Sequence, residues 1–203
     1  MPGQRIPEHE RREQILNAAL QVAMRDGIGS VTVRAVAAQA GSSHALVLFH
    51  FKKRETLVRS LLASVLSTVV AAPVVPEGWD APTALARLRA LLRGEVARLG
   101  AEPGRVRLLL DSWALGARHP GLREQVREAW AEYGRAVRQE VERAISEEGP
   151  LAAGVTIDGI TALTVAIVSQ SVVQGVIDPE GFPRSEYAVT ADTALERLFV
   201  AGA

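Results

Sequence analysis

The sequence predicts an all-α protein: a three-helix N-terminal unit joined by a fourth helix to a larger helical bundle. Three observations predict it. Apolar residues recur at the 3.6-residue spacing of helices, strand-like alternation is scarce, and helix-starting and helix-ending residues bracket the apolar stretches. The 203 residues, 48% hydrophobic and 23% charged, are enough to bury a core, which argues against disorder.

The elements follow in order. Glu10 to Arg25 puts Ile15, Leu16, Ala19, Val22 and Ala23 on one face and stops at Asp26-Gly27. Thr32 is a good N-cap for a second helix, whose Val33, Val36, Ala37 and Ala40 are spaced i, i+3, i+4, i+7. Gly41 breaks that helix, and Ser42 or Ser43 can cap a third running to about Phe51. A fourth helix is expected to open at Lys52-Lys53-Arg54-Glu55 and to continue with Leu57, Leu61, Leu62, Val65 and Leu66. Breakers cluster at 71–82, ahead of helices over about 82–99 and from Pro103 to about Gly116. His119-Pro120-Gly121 reads as a turn, followed by a long amphipathic helix from Leu122 to about Glu147. Two helices remain, about Val155–Ile177 and Ser185–Val200, separated by Asp178-Pro179-Glu180-Gly181.

Composition narrows the function classes. No cysteine is present, which excludes disulfides and thiolate metal sites and fits a cytoplasmic location. The N-terminus lacks the apolar core of a secretory signal. The longest uncharged run, Gly159–Ile177, carries Ser169, Gln170, Ser171 and Gln174, which would be costly in lipid, so a buried helix is expected and no membrane partner. Residues 1–60 hold nine Lys or Arg against five acids, a net +4, while the rest of the chain carries −4. A basic N-terminal quarter on an acidic body implies a polyanionic partner for that quarter. No phosphate loop, G-x-S-x-G elbow or H-E-x-x-H pair occurs, and four histidines show no metal-ligand spacing. An enzyme is therefore not expected, and no cofactor or metal is implied.

Residues 31–51, VTVRAVAAQAGSSHALVLFHF, have the form of a DNA-reading helix-turn-helix: a short helix, a tight turn with Gly, and a second short helix whose exposed face enters the major groove. Ala37 is small where two helices cross, and Val47 and Phe51 can fix the second helix to the core. His44, Ala45, Leu48 and Phe49 are then free to face DNA.

A longer stretch, about 11–62, resembles the TetR family of transcriptional regulators. It runs REQILNAAL, then G-x-x-x-V-T-V-R-A-V-A-x-x-A-G, then S-x-x-L-V-x-x-H-F-x-x-R-E-x-L, with no gap. The resemblance implies a DNA-binding domain at 1–54, with its helix-turn-helix at about 32–51, and a helical ligand-binding and dimerisation domain at 55–203. It implies that Thr32 caps the second helix and contacts phosphate, and that Arg34 reaches a guanine edge or a phosphate. Ser43, His44 and Ala45 fall on the leading turn of the recognition helix. His50 and Arg54 match backbone-contacting residues, with Lys52 and Lys53 adding charge nearby. Three positions depart from the family pattern: Ser42 replaces an apolar residue, Ala45 a common Gly and Leu48 a frequent Tyr. Leu48 cannot donate a hydrogen bond but can pack on a thymine methyl.

Alternatives stay open at several of these residues. Lys52-Lys53-Arg54 is either a phosphate-contacting cluster or a solvated charge run, and cations at a helix N-terminus oppose its dipole. His50 is a backbone contact or a half-buried spacer. Arg5, Arg11 and Arg12 form an arm over DNA or keep the N-terminus soluble. For a small-molecule effector the candidates are Asp111, Trp113, Trp130, Tyr133, Gln170 and Gln174, with core packing the competing role for the aromatics. Asp111 anchors a cationic ligand, pairs with Arg107 or Arg118, or faces water.

The last two helices resemble the family's contribution to a four-helix dimer interface. A dimer implies a pseudo-palindromic double-stranded operator read by two recognition helices about 34–36 Å apart. ARHPGLREQVR and G-V-I-D-P-E-G look like the C-terminal type shared with choline–betaine regulators. The competing class is a helical adaptor that binds only proteins, which would not need Thr32, Arg34, His50 and Arg54 in one register.

Overall fold

A computed structural model describes residues 7–70 and 82–199. Most of the breaker-rich stretch at 71–82, together with Arg5 and Val200, lies outside them. The described residues are helical, with one isolated antiparallel bridge, Leu151 to Phe199. The helices are α1 Glu8–Asp26, α2 Val33–Gln39, α3 His44–Phe51, α4 Arg54–Val69, α5 Ala84–Ala101, α6 Pro103–Gly116, α7 Pro120–Glu148, α8 Ile157–Ile177 and α9 Arg184–Glu196. They form two compact units, one of residues up to Thr68 with Arg107–Val126, the other of Val69–Val106 with Arg127 onward.

In the first unit α1 packs on α2 and α2 on α3. Its core holds Ile15, Ala18, Ala19, Val22, Val36, Ala37, Val47, Phe51, Leu57 and Leu61. Leu16, expected in this core, is half-buried and Ala18 takes the place. A single 3₁₀ turn at Ile28–Ser30, not expected from the sequence, links α1 to α2. In the second unit α5 packs on both α8 and α9. The Arg89 guanidinium forks onto the Asp192 carboxylate at 2.7 and 3.0 Å. Glu147 of α7 accepts the Ala84 N–H at 2.6 Å and the Arg87 guanidinium at 3.0 Å. Its negative charge therefore sits at the α5 N-terminus, where the dipole favours it, and the Ala84 bond, ahead of Arg87, lowers its pKa.

Three boundaries differ from expectation for physical reasons. The fourth helix starts at Arg54, because Lys52 has φ +62° and cannot join a right-handed turn. The seventh starts at Pro120, a proline pre-set for the first helical position, so Pro120-Gly121 belongs to the helix. The ninth ends at Glu196, after which Phe199 pairs with Leu151.

Helix α8 is long and apolar enough to cross a membrane by length and composition, yet only 28% of its apolar window is buried. Within it Leu163 is 43% exposed and Ile177 73%, and Val189 of α9 is 59% exposed. The expected burial of this helix is therefore incomplete in a single chain.

Candidate nucleic-acid interface

The turn between α2 and α3 is made by backbone. Gly41 takes φ +56°, its N–H reaches the Ala38 carbonyl at 3.3 Å, and the Ser42 N–H reaches Ala37 at 2.9 Å. This pair of bonds is a Schellman closure of α2, and a left-handed residue in that position favours glycine. Hydroxyls start both helices: Thr32 Oγ1 accepts the Ala35 N–H and Ser43 Oγ the Leu46 N–H, each at 3.1 Å. Each cap contributes about 1 kcal/mol. Of the two serines, Ser43 is the cap. The Ser42 hydroxyl is buried with no hydrogen-bond partner among the described residues, in keeping with a slot that suits an apolar side chain.

Helix α3 has eight residues, too few to be stable alone. Val47 and Phe51 hold one face in the core at 0% and 1% exposure. The Arg12 guanidinium holds the far end, donating to the His50 carbonyl at 3.3 Å and to Ser60 Oγ at 3.0 Å, and lying 4.3 Å over the Phe51 ring. Between an arm over DNA and a solubilising charge, Arg12 is neither: it ties α1 to α3 and α4. Nothing local in the sequence signals this, because its partners lie 38 and 48 residues away.

The opposite face of α3 carries His44, Ala45 and Phe49 into solvent, with Phe49 60% exposed. Leu48 is half-buried, as is His50, whose ring meets the Phe49 ring edge-on at 5.2 Å. Thr32, Arg34 and Ser43 are exposed as well. Lys52 and Lys53 occupy the turn between α3 and α4, and Lys53, whose carbonyl accepts the Leu57 N–H at 3.2 Å, caps α4, where the dipole still opposes its charge. At the C-terminal end of α3 a cation is favoured. The Lys52 ammonium also stands 5.2 Å from the Phe49 ring centre.

Arg54 is engaged differently. Its guanidinium donates to the carbonyls of Val31 (2.8 Å), Gly29 (3.1 Å) and Ile28 (3.3 Å), fastening the 3₁₀ turn to the start of α4.

The six effector candidates are drawn from both units. Asp111 and Trp113 lie in the first unit, Trp130, Tyr133, Gln170 and Gln174 in the second. Tyr133 is core, 1% exposed, with its hydroxyl 3.5 Å from a Glu95 carboxylate oxygen that Arg98 also binds. Burial, and secondarily Glu95, raises its pKa. Trp130 meets Tyr133 edge-on at 5.5 Å. Gln170 is exposed and Gln174 half-buried. Asp111 is half-buried: burial pushes its carboxyl above the ordinary range, and Arg107 partly offsets this.

Comparison with known proteins fits this geometry. Residues 84–200 match the description "BetI-type transcriptional repressor, C-terminal", and residues 15–61 match "Bacterial regulatory proteins, tetR family". The chain is 34% identical over 83 residues to the nicotine-responsive transcriptional repressor HdnoR of Paenarthrobacter nicotinovorans, a match covering 40% of this chain and 43% of that repressor. It is 26% identical over 161 residues to an uncharacterized HTH-type transcriptional regulator of Xanthobacter autotrophicus, covering 77% and 78%. Its fold is shared with a TetR transcription regulator from Haloarcula marismortui, with TM-score 0.80, 18% identity and coverage of 95% of this chain and all of the other.

Proposed function

Because the chain belongs to the TetR family of bacterial transcriptional regulators, we propose that it is a repressor that binds a pseudo-palindromic operator as a homodimer and is released by a small molecule. One observation carries the DNA-binding part: α3 is fixed to the core by Val47, Phe51 and Arg12 while His44, Ala45 and Phe49 project outward beside Lys52 and Lys53. A rigid reader flanked by cations is what phosphate positioning and base readout together require.

Residues 1–54 form the DNA-binding part in this reading, and 55–203 the effector and dimerisation part. Arg34, His44, Ala45, Leu48 and Phe49 read base edges or methyls. Thr32, Ser43, His50, Lys52 and Lys53 face phosphates. Arg54 serves chiefly by holding the loop ahead of α2, which its three carbonyl bonds support. The exposed apolar surface of α8 and α9 supports a dimer through the last two helices. An effector bound among Asp111, Trp113, Trp130, Tyr133, Gln170 and Gln174 acts by population shift, tilting α4 and changing the spacing of the two readers. The protein acts in the cytoplasm, without catalytic activity.

Selection from random duplexes, run beside an Arg34→Ala, His44→Ala double variant, tests this reading. The expected result is an enriched inverted repeat that the variant loses or relaxes. No enrichment even at low salt, where phosphate contacts bind most tightly, overturns DNA binding in favour of a protein-binding adaptor.

A further inference from the structure

The first unit contains a cavity of about 490 Å³ between one face of α4 and the corner where α6 meets α7. Its volume is in the range of small-molecule sites. The floor is apolar: Val58 and Leu62 from α4, Leu115 from the end of α6, Leu122 from the first turn of α7. The mouth is basic, with Lys53, Arg59 and His119 facing a single acidic lining residue, Glu55. Arg54 also borders the cavity, but its guanidinium is committed to the carbonyls of residues 28, 29 and 31. None of the six effector candidates named above lines it.

We propose that this cavity is a binding site for a small amphipathic carboxylate, a chain of about eight carbons lying on Val58, Leu62, Leu115 and Leu122 with its anionic head at Lys53 and Arg59. Charge complementarity selects the head and the apolar floor selects the tail. A neutral alcohol leaves the cations unanswered, and an alkylammonium meets them with like charge.

The site has a regulatory consequence, which rests on the DNA-binding reading above. Lys53 lines the cavity and also stands in the turn after α3, among the cations assigned to phosphate. A carboxylate that engages it withdraws one cation from the DNA interface at the point of contact. No movement of the bundle is needed. Occupancy should therefore lower operator affinity about threefold or more and reduce the salt slope by about one.

The test has two arms. Titration calorimetry of the protein without DNA uses octanoate, with octanol and octylamine beside it. Saturable octanoate binding is expected, at least tenfold tighter than octanol, with no octylamine binding. Leu115→Trp, which fills the cavity, and Arg59→Glu, which reverses charge at its mouth and leaves the core intact, should each weaken octanoate at least tenfold. No octanoate binding overturns the site, as does equal binding by octanol or undiminished binding by both variants. The second arm measures anisotropy of a selected duplex with and without octanoate. Unchanged affinity and salt slope at saturating octanoate overturn the regulatory part. If selection yields no duplex, the DNA-binding reading and the regulatory part fall together, while calorimetry still decides the cavity.

Discussion

Lys52 combines φ +62° with ψ −48°, and the Lys53 N–H reaches back to the Phe51 carbonyl at 2.6 Å, so the chain reverses between α3 and α4 through a strained γ-turn. Glycine would hold this conformation without a Cβ clash. The strain stays because the position is covered on both sides: Phe51 is anchored in the core and α4 begins two residues later. Strain kept at a cation proposed to face phosphate is consistent with a functional constraint on the side chain. Lys52→Gly should therefore stabilise the fold by about 1 kcal/mol, once relief of strain is set against glycine's extra unfolded-state entropy. It should also weaken DNA binding, because one phosphate contact is lost. Denaturant melts and duplex titrations read the two effects separately. Unchanged or lower stability would falsify the strain argument.

At the scale of elements, the second unit relies on charged clasps between helices as well as on its core. Asp192 of α9 is 5% exposed and bound by the Arg89 fork of α5, whose hydrogen bonds, more than its charge alone, lower the carboxyl pKa. A depressed carboxylate pKa means that the folded state releases this proton more readily than the unfolded chain. Its contribution is complete above the unfolded pKa and is lost as pH falls through the lower, folded value. Asp192→Asn should thus be less stable at neutral pH and lose less stability than the parent as pH falls through and below the ordinary carboxylate range. Parallel acid-side stability curves for parent and variant would sink that assignment.

This clasp also shows what a sequence exposes and what it hides. The 3.6-residue pattern marked every α-helix, and the caps Thr32 and Ser43 and the breaker Gly41 stand where their chemistry requires. The outward placement of His44, Ala45 and Phe49 was legible because outward positions follow directly from the inward ones, Val47 and Phe51. Pairings of long range were not. Arg89 meets Asp192 across 103 residues, and Arg12 meets Ser60 across 48. The cavity on α4 was hidden for the same reason, since its walls come from three stretches of chain.

For the whole molecule, the proposed dimer rests on α8 and α9. A 21-residue apolar helix that leaves Leu163 and Ile177 exposed puts apolar area in water unless another surface covers it. In the proposed dimer a second copy supplies that surface through a two-fold contact, in which any substitution acts twice. The parent should run as a dimer in size-exclusion chromatography with light scattering. Leu163→Glu, or Val189→Glu on α9, should shift it to monomer with helicity retained. Loss of the dimer should also reduce binding to an inverted repeat to the weak level of a single half-site. A parent that is monomeric at micromolar concentration, or variants that remain dimeric, would place the interface elsewhere.

The Arg12 clip has a consequence for divergence. It grips α3 through the His50 carbonyl, a main-chain atom present whatever residue stands there, and through Phe51 on the inner side. The outward residues His44, Ala45 and Phe49 are therefore not among those that hold the helix in place. They can be exchanged at little thermodynamic penalty, so a lineage built on this scaffold can acquire new target sites while its folding stability stays nearly constant.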